Sequence, residues 1–590
     1  MLVWGRKMIP SGTTHFPALP RSFFERMDAW RLRWHGLEFA ILGMLATALA
    51  FYVATLFHLK TPYTAAITVW VVVNTKPGHV ISKSFYRVIG TLIGGSFAIF
   101  LIQAFASQPV FLFSLLALWM GVCTGIGTLF RHFRAYAGQL SGYTAAFILL
   151  AALPHPDQAL HVALDRMAGI VIGVLSMSAV VALLGRRRSA REMEESLKRI
   201  HRHLLEAIPR RWDLPAEEIA QRRLRLSREY TATEALLEYA DVESPGFRRR
   251  IHRLRVLTNL LLDVLDASRE ARQAHGIFTE ITTTLEPLFD SPSEKQLAIT
   301  SARLEELRTR IPEMEDAPAL QAEEKLLSRW VKQLTPAGLD AIILRDPLYP
   351  DVPAAARHCV RTTLATLLAC GLWKLTGWEA GPVFLMQSAA SCALAATMDR
   401  PSKSLAMMSL SVLVASVAGY FCKFVLLPHA NGYAEMLLCL FVVILPLASL
   451  VGSKRPTLKV IGTTSGLFLL VLIQPGSHMV YHQAHYVSFA LACILGTLFN
   501  FLIFSLILPT IPAREGARLL ERLEKIAQGN ATRQRPPSLH TWRMTAQDLL
   551  LQLQKNPGTT PAELEEGLRL MDLGTRLLNA RETNGNIHPG

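Results

Sequence analysis

Charge is scarce in this 590-residue chain: Asp, Glu, Lys and Arg together make up 18% of it, against 51% apolar residues. With a mean hydropathy of +0.28, that excludes an ordinary soluble protein of this size and leaves a polytopic membrane protein. Acids are rarest at the start, where residues 1–185 hold 13 bases and 5 acids, whereas residues 186–350 hold 28 of each. The net charge of +15 therefore belongs to the apolar parts, where the positive-inside bias accounts for it, and nucleic acid is not expected as a partner. The seven cysteines (Cys123, Cys359, Cys370, Cys392, Cys422, Cys439 and Cys493) are odd in number, lie in or beside apolar segments and include no C-x-x-C. They read as small packing residues and not as disulfides or metal ligands. The first 30 residues lack an apolar run of signal-peptide length and read as a loose tail without a cleaved leader. A nucleotide motor is missing too, because Gly78–Ser84, GHVISKS, has the Lys-Ser of a phosphate-binding loop without the glycine that should precede it. Uphill transport would then draw on an ion gradient, most simply protons, or on a partner ATPase. Paired carboxylates, metal-ligand spacing and an activated nucleophile are likewise missing, so neither an enzyme nor a cofactor is expected.

What the chain does contain, it contains twice. Lys76-Pro77 recurs 324 positions on as Arg400-Pro401, and the same shift carries Arg33 to Arg357, Gly95 to Gly419, Arg131 to Arg455 and Gly142 to Gly466. A constant shift predicts two membrane halves of like design and orientation, a parallel repeat. Six apolar segments fit the first half, near 37–57, 63–75, 84–106, 110–130, 135–153 and 162–184, the second being short for a span of about 20 residues. Six more fit the second half, near 358–375, 380–398, 404–427, 433–451, 457–474 and 486–508.

The expected fold is thus an all-α polytopic membrane protein with two six-helix transmembrane halves. The expected divisions are a cytoplasmic amino-terminal tail (1–36), the first half (37–185), a helical cytoplasmic domain (186–350), the second half (351–511) and a helical cytoplasmic tail (512–590). Alternate turns are basic, with Lys76, Lys83, Arg131 and Arg134 in one half and Arg400, Lys403, Lys454 and Arg455 in the other. Those turns and both termini are expected to face the cytoplasm. Between the halves, leucines alternate with charges at helical spacing, as in LRVLTNLLLDVLDASREAR. The run Arg248-Arg249-Arg250 reads there as a solvated helix face.

Ionisable groups inside apolar segments are the functional candidates, because burying them is costly. Asp165-Arg166 in the sixth segment leads: the arginine offers a fork for a carboxylate, and the adjacent acid is a candidate for proton coupling. Arg134, Tyr136 and Tyr143 in the fifth put aromatic and hydrogen-bonding groups on an apolar helix, a surface suited to a planar aromatic acid. Lys423 and Glu38 lie close enough to an interface to snorkel. His478, His482 and His485 have helical spacing but no acid or cysteine beside them, and a metal is not expected.

YRVIGTLIGG (86–95), GYTAA (142–146), DRMAGIVIGV (165–174), RTTLATLLACGLWKLTGWEAG (361–381) and SPGFRRRIHRLRVLTNLLLDV in the central region resemble the fusaric acid resistance or aromatic acid exporter family. The resemblance implies a bacterial inner-membrane exporter of aromatic carboxylates, driven by the proton gradient. It also implies work with a periplasmic membrane-fusion subunit and an outer-membrane channel. Relatives often place an acid just before I-V-I-G, where this chain has Gly169, which leaves Asp165 for the proton. The competing expectation is a membrane-anchored scaffold or envelope-integrity protein that moves nothing. Membrane lipid is a partner on either reading, and assembly into a homo-oligomer stays open.

Overall fold

A computed structural model describes residues 21–207 apart from 131 and 186–188, and residues 351–585 apart from 397, 399, 477–478, 510–511, 533–538 and 557. Between 208 and 350 it describes isolated residues only, so most of the central domain expected over 186–350 lies outside the described residues.

The described residues are helical and contain no strand. In chain order the first helices are α1 (Arg21–Leu56), α2 (Tyr63–Val72), α3 (Pro77–Phe105), α4 (Pro109–Leu129), α5 (His132–Ala152), α6 (Ala159–Leu184) and α7 (Ser189–Ala207). After the central region come α8 (Val352–Thr376), α9 (Gly381–Ala395), α10 (Pro401–Phe421), α11 (Tyr433–Ser449), α12 (Pro456–Ile473) and α13 (Gln483–Leu506). The chain ends in α14 (Pro512–Thr532), α15 (Leu539–Lys555) and α16 (Pro561–Gly585). Prolines open α3, α4, α10 and α12, where the missing N–H would have no intrahelical acceptor in any case. The starts of α3, α4, α5 and α6 at residues 77, 109, 132 and 159 recur 324 positions on as the starts of α10, α11, α12 and α13.

Eight helices are long and apolar enough to cross a membrane: α1, α3, α4, α6, α10, α11, α12 and α13. The protein is a multi-pass membrane protein. Twelve segments read as spans from the sequence, and the other four depart for two reasons. α2 and α9 are short, and α2 with ten residues reaches only about 15 Å, half a hydrocarbon core. α5 carries Arg134 and Gln139, and α8 carries Arg357, Arg361 and Lys374, which lower their hydropathy.

Helices α1–α6 pack among themselves, as do α8–α13, and the main helix contacts joining the two groups are α4 with α8, α1 with α11, α5 with α9 and α2 with α12. The first two are close seams. Cβ atoms at Gly121 and Gly125 of α4 would run into Thr363, Cys359 and Ala355 of α8, and one at Gly36 of α1 would overlap the Ser449 carbonyl of α11. Two buried apolar clusters straddle the groups, one with Trp70 of α2 among α1, α6, α11 and α12, the other centred on α5 with α8 and α9.

Helices α14–α16 close on their own core around Trp542, Leu523, Leu550 and Met571. An ionic clasp fastens them to α8. Asp351 caps α8 by accepting from Ala354 N at 3.1 Å and receives Arg518 at 2.6 Å and Arg522 at 3.2 Å; Glu515 meets Arg357 at 3.3 Å. Asp351→Ala is expected to weaken this docking by about 1–2 kcal/mol, combining a lost cap with the loss of the ion pairs to Arg518 and Arg522. The check is limited proteolysis of the 507–512 connection, which should be cut faster in the variant.

Candidate functional site

Gly90 and Gly94 of α3 face the Ala137 and Ser141 carbonyls of α5, so closely that a side chain at either would strike backbone. That approach carries the preceding turn of α3 against the start of α5. Lys83 and Arg87, one helical turn apart, thereby meet Tyr136, which shares a face of α5 with Tyr143 and Phe147. Arg87 Nη1 donates to the Tyr136 hydroxyl at 2.7 Å. Lys83 Nζ donates to the Val71 carbonyl at 2.6 Å, at the open end of the short helix α2, and stands 5.5 Å over the Tyr136 ring. From α6, the Arg166 guanidinium lies 4.7 Å over the Phe147 ring, whose edge meets Tyr143 at 5.6 Å. Tyr143 is within electrostatic reach of Arg87 and Tyr136, and Arg166 of Arg87, Tyr63 and Tyr143.

The cluster holds three cations in apolar surroundings with Arg87 only 6% exposed. Among the described residues none of the three forms an ion pair, and Nε of both Arg87 and Arg166 is buried without a hydrogen-bond acceptor. Arg87 and Arg166 also repel each other. Uncompensated buried charge is strongly unfavourable, so the arrangement is one that an anion would relieve. Hydroxyls and ring faces beside the cations suit an anion that carries an aromatic ring.

Of the residues singled out in the sequence, Arg166, Tyr136 and Tyr143 come together here. Arg134 stands apart, exposed at the start of α5, because it lies two positions before Tyr136 and so on another face. Asp165 is adjacent in sequence but is engaged elsewhere: its carboxylate accepts from Lys60 N at 2.8 Å and from Thr61 Oγ1 at 2.5 Å, in the turn between α1 and α2. From the sequence Lys83 and Arg87 count only among the basic residues that would draw an anion in from the cytoplasmic side, and Phe147 and Tyr63 not at all. The signal that could have found them is the i, i+4 pair Lys83/Arg87 continued by Gly90 and Gly94 along one stripe of α3.

A cavity of about 1220 Å³ opens at the end of the bundle that carries Lys60. It lies between the α1–α2 turn and the α8–α9 and α12–α13 connections, with Lys60, Tyr63, Glu379, Lys423, His482 and His485 in its wall. Lys423, in the cavity wall, is buried and donates to the Ile473 carbonyl at 3.1 Å. Tyr63 belongs to both regions, lining the cavity and lying within electrostatic reach of Asp165 and Arg166.

Curated relatives cover nearly the whole chain. The p-hydroxybenzoic acid efflux pump subunit AaeB of Shigella dysenteriae serotype 1 (strain Sd197) is 26% identical over 560 residues, 89% of this chain and 84% of that protein. The subunit of the same name from Escherichia coli O157:H7 (strain EC4115 / EHEC) is 26% identical over 571 residues, 91% and 85% of the two chains. That from Escherichia coli O9:H4 (strain HS) is 26% identical over 561 residues, 89% and 84%. The pattern of the fusaric acid resistance protein family matches residues 37–586, and the chain belongs to that family.

Proposed function

We propose that this protein exports aromatic carboxylates, or closely related weak organic acids, across the bacterial inner membrane in exchange for protons. The observation that carries the proposal is the cluster of Lys83, Arg87 and Arg166, Arg87 buried and the other two half-buried, with no ion pair among the described residues and set among Tyr136, Tyr143 and Phe147. The efflux-pump names of the relatives support it.

The transport unit is two six-helix halves, 37–185 and 351–511, separated by a cytoplasmic helical domain (186–350) and flanked by cytoplasmic tails (1–36 and 512–590). Support for the halves comes from the 324-residue spacing of four helix starts. The reciprocal packing supports them too: the first half's fourth and fifth helices meet the second half's first and second, and the converse pairs also meet. The positive-inside bias puts the Lys76 and Arg400 turns in the cytoplasm and the Lys60 end outside. Short helices at corresponding places in two halves, here α2 and α9, mark where transporters build their sites.

On this reading the anion is drawn in by Lys76, Arg134 and Arg400 and gives its carboxylate to Arg87 and Arg166. Its ring lies against Phe147 and Tyr143, with the Tyr136 hydroxyl beside it. Rocking of the halves then opens the cluster past Tyr63 to the cavity, and Asp165 takes up the counter-moving proton. A periplasmic membrane-fusion subunit and an outer-membrane channel would carry the anion onward.

The test is accumulation of p-hydroxybenzoate by inverted membrane vesicles. Accumulation that needs a proton gradient and collapses with an uncoupler is the expected result. No accumulation by vesicles that contain the folded protein and its periplasmic subunit would overturn the proposal in favour of a scaffold.

A further inference from the structure

Asp165 does not face the cation cluster, although its neighbour Arg166 does. Its two carboxylate oxygens hold the turn that leads into α2, one taking the Lys60 N–H and the other the Thr61 hydroxyl. Helix α2 has no side-chain cap of its own, its first residue being preceded by Pro62, and Asp165 ties the turn before it to α6. From Thr64 onward α2 is seated on α6 by close contact, with Thr64 and Ala65 against Gly169 and Ala65 and Thr68 against Gly173. Loss of the Asp165 bonds would therefore free the α1–α2 turn and leave α2 in place, with the hinge at the start of α2. At that hinge stands Tyr63, the side chain shared by the cavity wall and the surroundings of Arg166.

The corresponding positions of the second half hold no such fastening. The residues 324 positions after Lys60, Thr61 and Asp165 are Phe384, Leu385 and Phe489. Phe384 and Leu385 are buried in apolar packing, and Phe489 packs against the apolar core of its own half. The cation cluster is one-sided in the same way, since Arg87, Tyr143 and Arg166 correspond to Ser411, Leu467 and Ala490. A titratable latch and an anion cluster thus share one half, on opposite sides of Tyr63.

We infer that Asp165 is a proton-operated latch: its carboxylate holds the α1–α2 turn, and with it Tyr63, between the cavity and the surroundings of Arg166, and its protonation frees that turn. The inference rests on the transport reading above and adds how the proton acts. One proton from water adds to one carboxylate oxygen, giving a neutral carboxyl group. The two charge-assisted bonds to Lys60 N and Thr61 Oγ1 become weaker neutral ones, and Lys60, in the cavity wall, has water there as an alternative partner. Other charges bear on this step. Lys60, Tyr63 and Arg166 are nearest to Asp165, with His161 one turn before it on α6. Arg87 of α3 and Tyr143 of α5 act on it through Arg166. His58 lies in the same turn as Lys60, and across the cavity stand Glu379, Lys423, His482 and His485.

The test compares wild type, Asp165→Asn and Thr61→Val in reconstituted vesicles, with p-hydroxybenzoate as the probe. Two readouts are taken: exchange of labelled for unlabelled anion without a pH gradient, and net transport driven by a gradient. Asp165→Asn removes the charge and is expected to keep exchange but lose all stimulation by the gradient. Thr61→Val keeps the titrating group and removes one donor that favours its charged form. Its stimulation by the gradient is expected to survive. Hydrogen exchange of the 57–63 segment, corrected for intrinsic rates, should rise as pH falls in wild type and stay high at all pH values in Asp165→Asn.

Gradient-driven transport by Asp165→Asn would overturn the latch while leaving the exporter reading intact. So would loss of exchange by a variant that still folds and binds the anion, or a 57–63 segment whose exchange ignores both pH and the substitution. Absence of both exchange and net transport in wild type with its periplasmic subunit would instead bring down the exporter reading.

Discussion

Replacing Arg87 or Arg166 by Gln is expected to weaken binding of an aromatic carboxylate by about 2–4 kcal/mol, roughly 30- to 700-fold in dissociation constant, while leaving the empty protein as stable as before or more so. The two signs have one cause. In the empty site the guanidiniums repel each other without an acid between them, and each keeps a buried Nε–H with no acceptor. Removing one charge relieves that repulsion and one desolvation penalty, at the cost of half the grip on an incoming carboxylate. A merely structural arginine would behave differently. Arg361, for example, is fully buried over the Phe504 ring and donates to the Ile507 and Leu508 carbonyls where α13 ends. Arg361→Gln should lower stability and leave the dissociation constant of any surviving protein nearly unchanged. Equilibrium binding of labelled p-hydroxybenzoate to detergent-purified protein, with denaturant unfolding of the same samples, separates the two classes. Equal loss of stability in all three variants would remove Arg87 and Arg166 from the site.

That contrast also marks how far the sequence could be read. The 324-residue register was legible from a few pairs such as Lys76-Pro77 and Arg400-Pro401, because proline at a helix start and a basic turn are local features. Four helix starts in each group follow that register. The brevity of α2 was visible too, in the short run from Tyr63 to Thr75. The cluster was legible only in part. Arg166, Tyr136 and Tyr143 stood out because polar side chains interrupt apolar helices there. Arg87 did not, for it follows Lys76 and Lys83 and read as one more charge at a basic turn. What buries it is the approach of α3 to α5 at Gly90 and Gly94, a tertiary event that helical spacing allows without specifying a partner. Arg134 shows the reverse error of emphasis: it sits close to Tyr136 in sequence, yet on another face. Asp165 and Arg166 are neighbours that serve different surroundings, since successive positions on a helix point about 100° apart.

Gly36→Ala and Gly121→Ala, one at each close seam between the two groups of helices, are each expected to destabilise the protein by about 1–3 kcal/mol, although alanine is the better helix former. At Gly36 the added methyl group would overlap the Ser449 carbonyl, and at Gly121 it would overlap Thr363 Oγ1 and come within 2.6 Å of the Cys359 carbonyl. Backbone carbonyls cannot rotate away, so the helices must separate and give up contact along the seam. The control is Gly371, on the same helix as Thr363, where an added Cβ meets nothing within 4 Å. There alanine should be neutral or stabilise by up to about 1 kcal/mol. At Gly121 the two obstacles can be separated as well. Thr363→Ala removes the side-chain overlap but leaves the carbonyl, so Gly121→Ala/Thr363→Ala should recover part of the loss and not all of it. Unfolding by denaturing detergent from purified protein measures the series. If Gly36→Ala and Gly121→Ala match Gly371→Ala, the seams are looser than their geometry implies. Tight packing at α1–α11 and α4–α8 would then no longer be what holds the two groups of helices together.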